Sequence, residues 1–301
     1  MIHQKMNTIQ TWIAAARPKT LPASISPVLV GIGIALKLHI FHPLTTVVIL
    51  CVAILIQVSA NLINDVIDFQ HGTDTSARMG PLRVTQARLL TPHQVWKGVM
   101  IVLGITLLCG VYLATIAGLP VIIIGLACII AAFAYSAGPA PLARYGLGDL
   151  FALVFFGLTA VCGTTYILTG QLPFSAWLGG LGAGVLVTNI LVVNNVRDIE
   201  SDRQAGRTNI PIRFGRQGGE LEYTLMQAVA YLVPAAVLVF HLSSTWVLLT
   251  YLSLPGAIIL NHKFRITPTG KGLNEILART AQILLFYSFL LSLGFAFSAL
   301  A

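Results

Sequence analysis

Nine apolar runs follow one another through the chain of 301 residues, separated by short polar segments. A helix that crosses a bilayer needs about 20 predominantly apolar residues, because lipid offers no partner to an unpaired backbone amide or carbonyl. No segment between the runs is long enough to form a soluble domain of its own. The runs lie near residues 21–38, 44–64, 98–116, 119–137, 147–168, 174–195, 224–240, 244–260 and 281–300.

The composition agrees with this pattern. Only 9% of the residues are charged and 56% are hydrophobic, whereas soluble domains are about 25% charged. We therefore predict an all-α, polytopic membrane protein with about nine transmembrane helices. We expect residues 1–301 to form a single integral membrane domain.

The basic residues predict the orientation in the membrane. When alternate loops are assigned to opposite sides, all of the 18 Lys and Arg residues except Lys37 fall on one side. Cytoplasmic loops carry the excess of Lys and Arg, so we expect a cytoplasmic N-terminus and a C-terminus outside, in the cell (inner) membrane. The net charge of +8 is then a result of topology, and we expect no nucleic-acid partner.

The acidic residues are few and clustered. Six of the ten lie in two stretches, residues 61–74 and 194–202, which follow apolar runs on the predicted cytoplasmic side. Residues spaced by three or four share one face of a helix. The polar residues with this spacing are Asn61, Asn64, Asp65 and Asp68 in the first stretch, and Asn194, Asp198 and Asp202 in the second.

Carboxylates that face one another suit a hard divalent cation such as Mg²⁺, which pairs one or two carboxylates with substrate phosphates. Arginines flank both stretches, and guanidinium groups bind phosphate oxygens. This combination is what a diphosphate–Mg²⁺ substrate requires. Three other interpretations stay open: solvated helix ends, arginines that only determine topology, and an ion-coupled transporter. A zinc site is disfavoured, because the histidines are scattered.

The two stretches resemble a known family. NDVIDFQHGTD (64–74) and NNVRDIESDRQAGR (194–207) are similar to the two aspartate-rich motifs of the UbiA superfamily of intramembrane aromatic prenyltransferases. Further stretches resemble its branch of 1,4-dihydroxy-2-naphthoate prenyltransferases in menaquinone synthesis. These are RPKTLP (17–22), GPLRVTQ (80–86), YSAGP (135–139) and GLGD (146–149).

The resemblance implies helices around a central cavity, two Mg²⁺ ions, and the partners polyprenyl diphosphate, 1,4-dihydroxy-2-naphthoate and the lipid bilayer. It also implies roles for individual residues. The metal ligands are Asn64, Asp65, Asp68, Asp74, Asp198 and Asp202; the diphosphate-binding residues are Arg78, Asn194, Asn195, Arg197, Arg203 and Arg207; the acceptor-binding residues are Lys19, Arg83 and Gln86; the catalytic residues are Asp68, Asp198, Asp202 and Tyr135.

Some of these assignments leave alternatives open. Tyr135 would stabilise a carbocation through its ring face, or it is an ordinary interfacial tyrosine. Arg207 stands where the branch usually has Lys, so its grip on phosphate would be a fork rather than a point charge. The implied reaction transfers a polyprenyl group to the naphthoate with loss of CO₂. The alternative acceptors are 4-hydroxybenzoate and homogentisate.

Overall fold

The computed structural model describes residues 6–70, 80, 82–136 and 145–300, without the side chains of residues 135 and 136. Over these residues the regular structure is helical, and β-structure is limited to an isolated parallel bridge between Tyr145 and Thr208. The predicted all-α membrane architecture is confirmed.

Twelve α-helices make up most of the described chain. Residues 148–169 form one continuous span, in which a π-helix (Ala152–Thr159) joins two α-helical segments. The helices are α1 (Thr8–Ala16), α2 (Pro22–Lys37), α3 (Pro43–Gln70), α4 (Pro92–Ala117), α5 (Leu119–Ser136), α6 (Gly148–Phe151), α7 (Ala160–Thr169), α8 (Phe174–Arg197), α9 (Ile199–Gln204), α10 (Ile210–Val239), α11 (Leu254–Ile266) and α12 (Leu273–Phe297).

Fewer helices are long enough to cross a membrane than the sequence predicts. Among the described residues six helices are long and apolar enough to cross a membrane: α3, α4, the span 148–169, α8, α10 and α12. A seventh span results if α2 is joined to the preceding segment Thr8–Thr20, to which it is bent by 54°. The runs 119–137 and 244–260 are helical but shorter, so the count of nine is not confirmed.

Helix α8 lies at the centre of the main hydrophobic core. Within it, 78% of an apolar stretch of 18 residues is buried inside the protein. Its close neighbour is the π-helix, which approaches through glycines. A Cβ atom on Gly157 would come within 2.4 Å of the Gly184 Cα, and a Cβ on Gly184 within 2.9 Å of the Gly157 Cα. Small residues at these positions allow the two backbones to touch, as in other membrane helix pairs.

The two ends of the bundle differ in chemistry. At one end the Lys37 ammonium group donates a hydrogen bond to the Leu242 carbonyl, and the Ser298 hydroxyl contacts Ser243 and Ser244. Helix α3 begins near this end, and its 28 residues carry Asp68 to the opposite end. Asp68, in the first acidic stretch, therefore lies far from Lys37.

Candidate active site

A cavity of about 740 Å³ lies inside the bundle, between the span 148–169 and helices α2, α3, α4, α5 and α8. Its walls are mostly aliphatic side chains, but one end is polar. Among the described lining residues, Arg17 is the only charged one, and Asn64 and Asn194 lie on facing helices. The cavity can therefore hold a long apolar group whose polar head lies at this end.

Residues 61–70 of the first acidic stretch form the last turns of α3, as predicted. Asp68 is mostly buried, and its Oδ2 atom lies 2.5 Å from Arg83 Nη2. Its Oδ1 atom lies 3.5 Å from Arg207 Nη2. Asn64 stands one helical turn earlier, on the same face, where it lines the cavity. This face therefore leads from the cavity to a group of charges at its mouth.

The second stretch is divided between two helices, which the even spacing of its carboxylates does not predict. Helix α8 ends at Arg197, and Asp198 adopts a non-helical backbone conformation (φ −103°, ψ 14°) before α9 begins. Arg197 donates to both carboxylate oxygens of Asp198, at 2.9 and 2.6 Å, and to Asn274 at 2.8 Å. Asp202, on α9, faces Arg207 at 3.2 Å.

Arg207 connects the two stretches. Its guanidinium group contacts Asp202 through Nη1 and Asp68 through Nη2. The backbone fixes its position, because the Arg207 amide donates to the Asp202 carbonyl at 2.9 Å and Gly206 adopts φ +68°. Glycine takes this conformation without steric cost. One half-buried cation thus holds a carboxylate from each acidic stretch.

Asp65 has surroundings that differ from those of Asp68. Its side chain is fully buried, and its two oxygens accept hydrogen bonds from the backbone amides of Val84 and Thr85, at 3.0 and 3.1 Å. The Thr85 hydroxyl donates to the Asp65 carbonyl at 3.3 Å. Arg17 Nη2 lies 3.6 Å from the Asp65 carboxylate. Asp65 thus fixes the turn that carries Arg83, and both of its oxygens have protein donors.

Two predicted site residues are not brought to this centre. Arg203 pairs with Glu200 on the surface, and Lys19 is exposed and does not line the cavity. Of the other predicted residues, Asn195 and Gln86 are half-buried. The predicted roles of Asp74, Arg78 and the Tyr135 side chain fall outside the described residues.

Arg17 is a residue that the sequence interpretation missed. It adopts φ 52° and ψ 68°, the left-handed region, between α1 and the 3₁₀ turn Pro18–Thr20, which costs a non-glycine residue roughly 1–2 kcal/mol. Thr20 donates to the Arg17 carbonyl through both its amide and its hydroxyl, and Asn61 donates to Ala16 and Thr20. The signal in the sequence was the polar pair Gln57 and Asn61, which continues the polar face of α3 one turn at a time before Asp65.

The donor atoms at the mouth fit a magnesium–diphosphate group. Carboxylate and amide oxygens are the ligands that Mg²⁺ prefers, and substrate phosphates complete its coordination. The described residues form no group of three or more His, Cys, Asp or Glu side chains placed to hold a metal by themselves. A metal here would therefore take part of its coordination shell from the diphosphate. The arginines that now face Asp68 and Asp202 would bind phosphate oxygens.

Comparison with known proteins identifies the family. The model of the UbiA prenyltransferase family matches residues 24–290. The chain belongs to the UbiA prenyltransferase family. It is 33% identical to a 1,4-dihydroxy-2-naphthoate octaprenyltransferase of Haemophilus influenzae, covering 98% of this chain and 97% of the relative. It is 31% identical to the protein of the same name from Mycobacterium tuberculosis, covering 98% and 100%.

Solved structures of UbiA proteins share the fold. A UbiA homolog from Archaeoglobus fulgidus, bound to DMAPP and Mg²⁺, superposes with a TM-score of 0.67 at 16% identity, covering 94% of this chain and 99% of that one. A UbiA homolog from Aeropyrum pernix gives the same TM-score over 87% of this chain and 94% of that one. This UbiA protein is therefore a multi-pass membrane prenyltransferase.

Proposed function

We propose that this enzyme transfers a polyprenyl group from polyprenyl diphosphate to 1,4-dihydroxy-2-naphthoate, with loss of CO₂, giving demethylmenaquinone in its reduced form and diphosphate. The observation that carries the proposal is the cluster of Asp68, Asp202 and Arg207. Asp68 lies one helical turn beyond Asn64, which lines a largely apolar cavity. The curated relatives, similar over nearly the whole chain, bear the name of this activity.

Different residues of the chain would bind the diphosphate head and the apolar tail of the prenyl substrate. Arg207 and Arg83 lie where they can bind diphosphate oxygens, and Asn64 and Asn194 supply amide groups on the cavity side. The aliphatic walls take the tail and exclude water, which would otherwise react with an allylic cation. Two Mg²⁺ ions held by the acidic stretches would neutralise the diphosphate and assist its departure.

The bond changes are those of an electrophilic substitution. The C1–O bond of the prenyl diphosphate breaks, and the diphosphate leaves with the electron pair. The ring carbon that bears the carboxylate forms a bond to C1. The carboxylate then leaves as CO₂, and the electrons of its bond to the ring restore aromaticity. A water-poor chamber favours this sequence, because nothing else can capture the cation.

We also propose the orientation that the basic residues predict, with the N-terminus and the active site facing the cytoplasm and the C-terminus outside, in the cell (inner) membrane. The acidic stretches lie at the end of the bundle opposite Lys37. A prenyl diphosphate and an aromatic acid made in the cytoplasm would then reach the mouth directly, while the tail enters from the lipid.

The test is product identification with the purified chain in detergent. We offer 1,4-dihydroxy-2-naphthoate, 4-hydroxybenzoate or homogentisate together with prenyl diphosphates of several lengths, and analyse the products by mass spectrometry. We expect a prenylated naphthoquinol that lacks the carboxyl group, formed with Mg²⁺ and not with excess EDTA. Product from another acceptor alone would replace the proposed substrate. Since detergent removes sealed compartments, turnover under these conditions also argues against a transporter.

A further inference from the structure

Two acidic residues outside the aspartate-rich stretches face each other inside the bundle. Asp149 belongs to the GLGD stretch, which has no role in the proposed reaction, and Glu222 lies on α10. Their carboxyl groups are near enough for a hydrogen bond between them, and only 5% of Glu222 is exposed. Ionised carboxylates only accept hydrogen bonds, so the two groups cannot satisfy each other while both are charged.

Three of the four carboxyl oxygens have no donor in the described part of the chain. Both oxygens of Glu222 and the Oδ1 atom of Asp149 are enclosed, and no described N–H or O–H group donates to them. Other buried carboxylates of the protein differ, since Asp65 accepts from two backbone amides and Asp68 faces arginines. Burying negative charge is costly unless a positive partner accompanies it. The pair therefore points to a positively charged ligand.

An amide on α8 adds a further oxygen of this kind. Asn189 is 1% exposed, and its Nδ2 atom donates to the carbonyl of Tyr223, the residue after Glu222, at 3.1 Å. Its Oδ1 atom is enclosed and has no donor among the described residues. The preceding residue, Thr188, donates from its hydroxyl to the Asp149 carbonyl at 3.3 Å. Consecutive residues of α8 thus hold the backbone at Asp149 and beside Glu222.

These groups have the chemistry of a site for a hard divalent cation. Ca²⁺ and Mg²⁺ are bound by carboxylate and amide oxygens, which are the groups found here. Two positive charges balance two carboxylates. A monovalent ion would leave one negative charge uncompensated among apolar side chains.

We propose that Asp149, Asn189 and Glu222 bind a divalent metal ion where α6, α8 and α10 meet, separate from the ions that accompany the diphosphate. The site consists of two carboxyl groups and an amide, so it is not one of the groups of three acidic, His or Cys side chains considered above.

The place of this site in the fold gives the ion a structural role. Gly148, next to Asp149, lines the cavity, and Tyr145 forms the parallel bridge with Thr208. Thr208 directly follows Arg207, which contacts both acidic stretches. An ion that fixes Asp149 against α8 and α10 therefore holds the cavity wall and the segment of Arg207 in one arrangement.

Thermal unfolding without substrate tests the site, because no step of the proposed reaction enters the measurement. The purified chain in detergent is treated with EDTA, exchanged into metal-free buffer and titrated with CaCl₂ or MgCl₂. The pH and ionic strength are held constant with choline chloride. We expect the unfolding temperature of the wild type to rise by several degrees and to reach a plateau with at least one of the two ions, since a ligand of the native state stabilises it.

Asp149→Asn and Glu222→Gln keep the size of the side chain and each remove one negative charge. Both variants should lose most of the metal-dependent rise. Without metal they should unfold at the wild-type temperature or above it, because repulsion between the two carboxylates is relieved. Asp68→Asn is the matched control and should keep the rise, since Asp68 belongs to the diphosphate site. Metal content measured by mass spectrometry should be one ion lower in Glu222→Gln than in the wild type.

Two results would overturn the proposal. One is an equal metal response and metal content in the wild type and in both variants of the pair. The other is a wild type that responds to neither ion and becomes more stable as the pH falls, which is expected if the pair holds protons instead of a metal. Neither result bears on the proposed reaction.

Discussion

Asp68 and Asp202 contact the same guanidinium group, although one lies on α3 and the other on α9. Arg207 thus joins the two acidic stretches and reduces the repulsion between their carboxylates. A magnesium–diphosphate group would bring positive charge for the carboxylates and negative charge for the guanidinium group. The carboxylates could then exchange their contacts with Arg207 for Mg²⁺, and Arg207 could bind phosphate oxygens, without a large change in the net charge of the site.

The two carboxylates are expected to be needed for turnover and not for folding. Asp68→Asn and Asp202→Asn should each lower turnover on the order of a hundredfold or more, because each removes a charge that acts on the leaving diphosphate. Thermal unfolding should change little, since asparagine retains an acceptor oxygen for Arg83 or Arg207. Glu200→Gln is the control, as its side chain is 75% exposed. Turnover near wild type in either aspartate variant would remove that residue from the site.

Substitution of two neighbouring arginines, Arg203 on α9 and Arg207 just after it, should affect the KM for prenyl diphosphate differently. Arg207→Ala should raise the KM for prenyl diphosphate roughly tenfold or more, as expected for a lost hydrogen bond to a charged group. Arg203→Ala should leave it unchanged, because Arg203 pairs with Glu200 at the surface. Steady-state kinetics with each substrate varied in turn measures both. Equal effects of the two substitutions would mean that the loop rearranges when substrate binds.

Asp65 should matter for the stability of the fold. Asp65→Ala leaves two buried backbone amides without acceptors, at about 1–3 kcal/mol each, so unfolding should occur at a clearly lower temperature. Asp65→Asn should be milder, because one acceptor oxygen remains. Hydrogen exchange of peptides that contain Val84 and Thr85 should accelerate in the alanine variant. Wild-type exchange rates in that variant would contradict the hydrogen bonds on which this role depends.

The orientation can be tested with reporter fusions. A reporter that is active only outside the cytoplasm should be active when fused after the C-terminal residue. It should be inactive after Gly215, which lies near the start of α10 in a segment rich in arginine. The same pair with a cytoplasmic reporter should give the opposite result. If both pairs were reversed, the active site would face outward, and prenyl diphosphate would have to reach it from that side.

The sequence predicts the elements whose signal is local. The polar face of α3 follows from helical spacing, so Asn64 and Asp68 are found together as expected. The break at Asp198 is not predicted, because evenly spaced carboxylates are compatible with one helix or with two. Here α8 ends where Arg197 turns to Asn274 on α12. That contact joins distant parts of the chain, so the local spacing of residues does not predict it.

The choice between neighbouring residues of the same type is also beyond the sequence. Arg17 and Lys19 are both cations beside proline, and only the left-handed turn at Arg17 decides which one lines the cavity. Asp65 and Asp68 both belong to the acidic stretch. Their roles separate because the turn at Val84 and Thr85 packs against Asp65 and carries Arg83 to Asp68. The family resemblance predicts a set of site residues that does not include Arg17, and tertiary contacts distinguish the surroundings of its members.

The cavity has one stiff wall and one compliant wall. On one side the π-helix touches α8 through Gly157 and Gly184, so this wall has no room to yield. On the other side α5 lines the cavity, while Ile123 and Ile130 of the same helix are exposed and do not line it. Lipid can adjust to a helix that moves slightly, whereas a backbone-to-backbone contact cannot. Tolerance of tail length should therefore reside on the α5 side, where inhibitors with bulky tails would also find room.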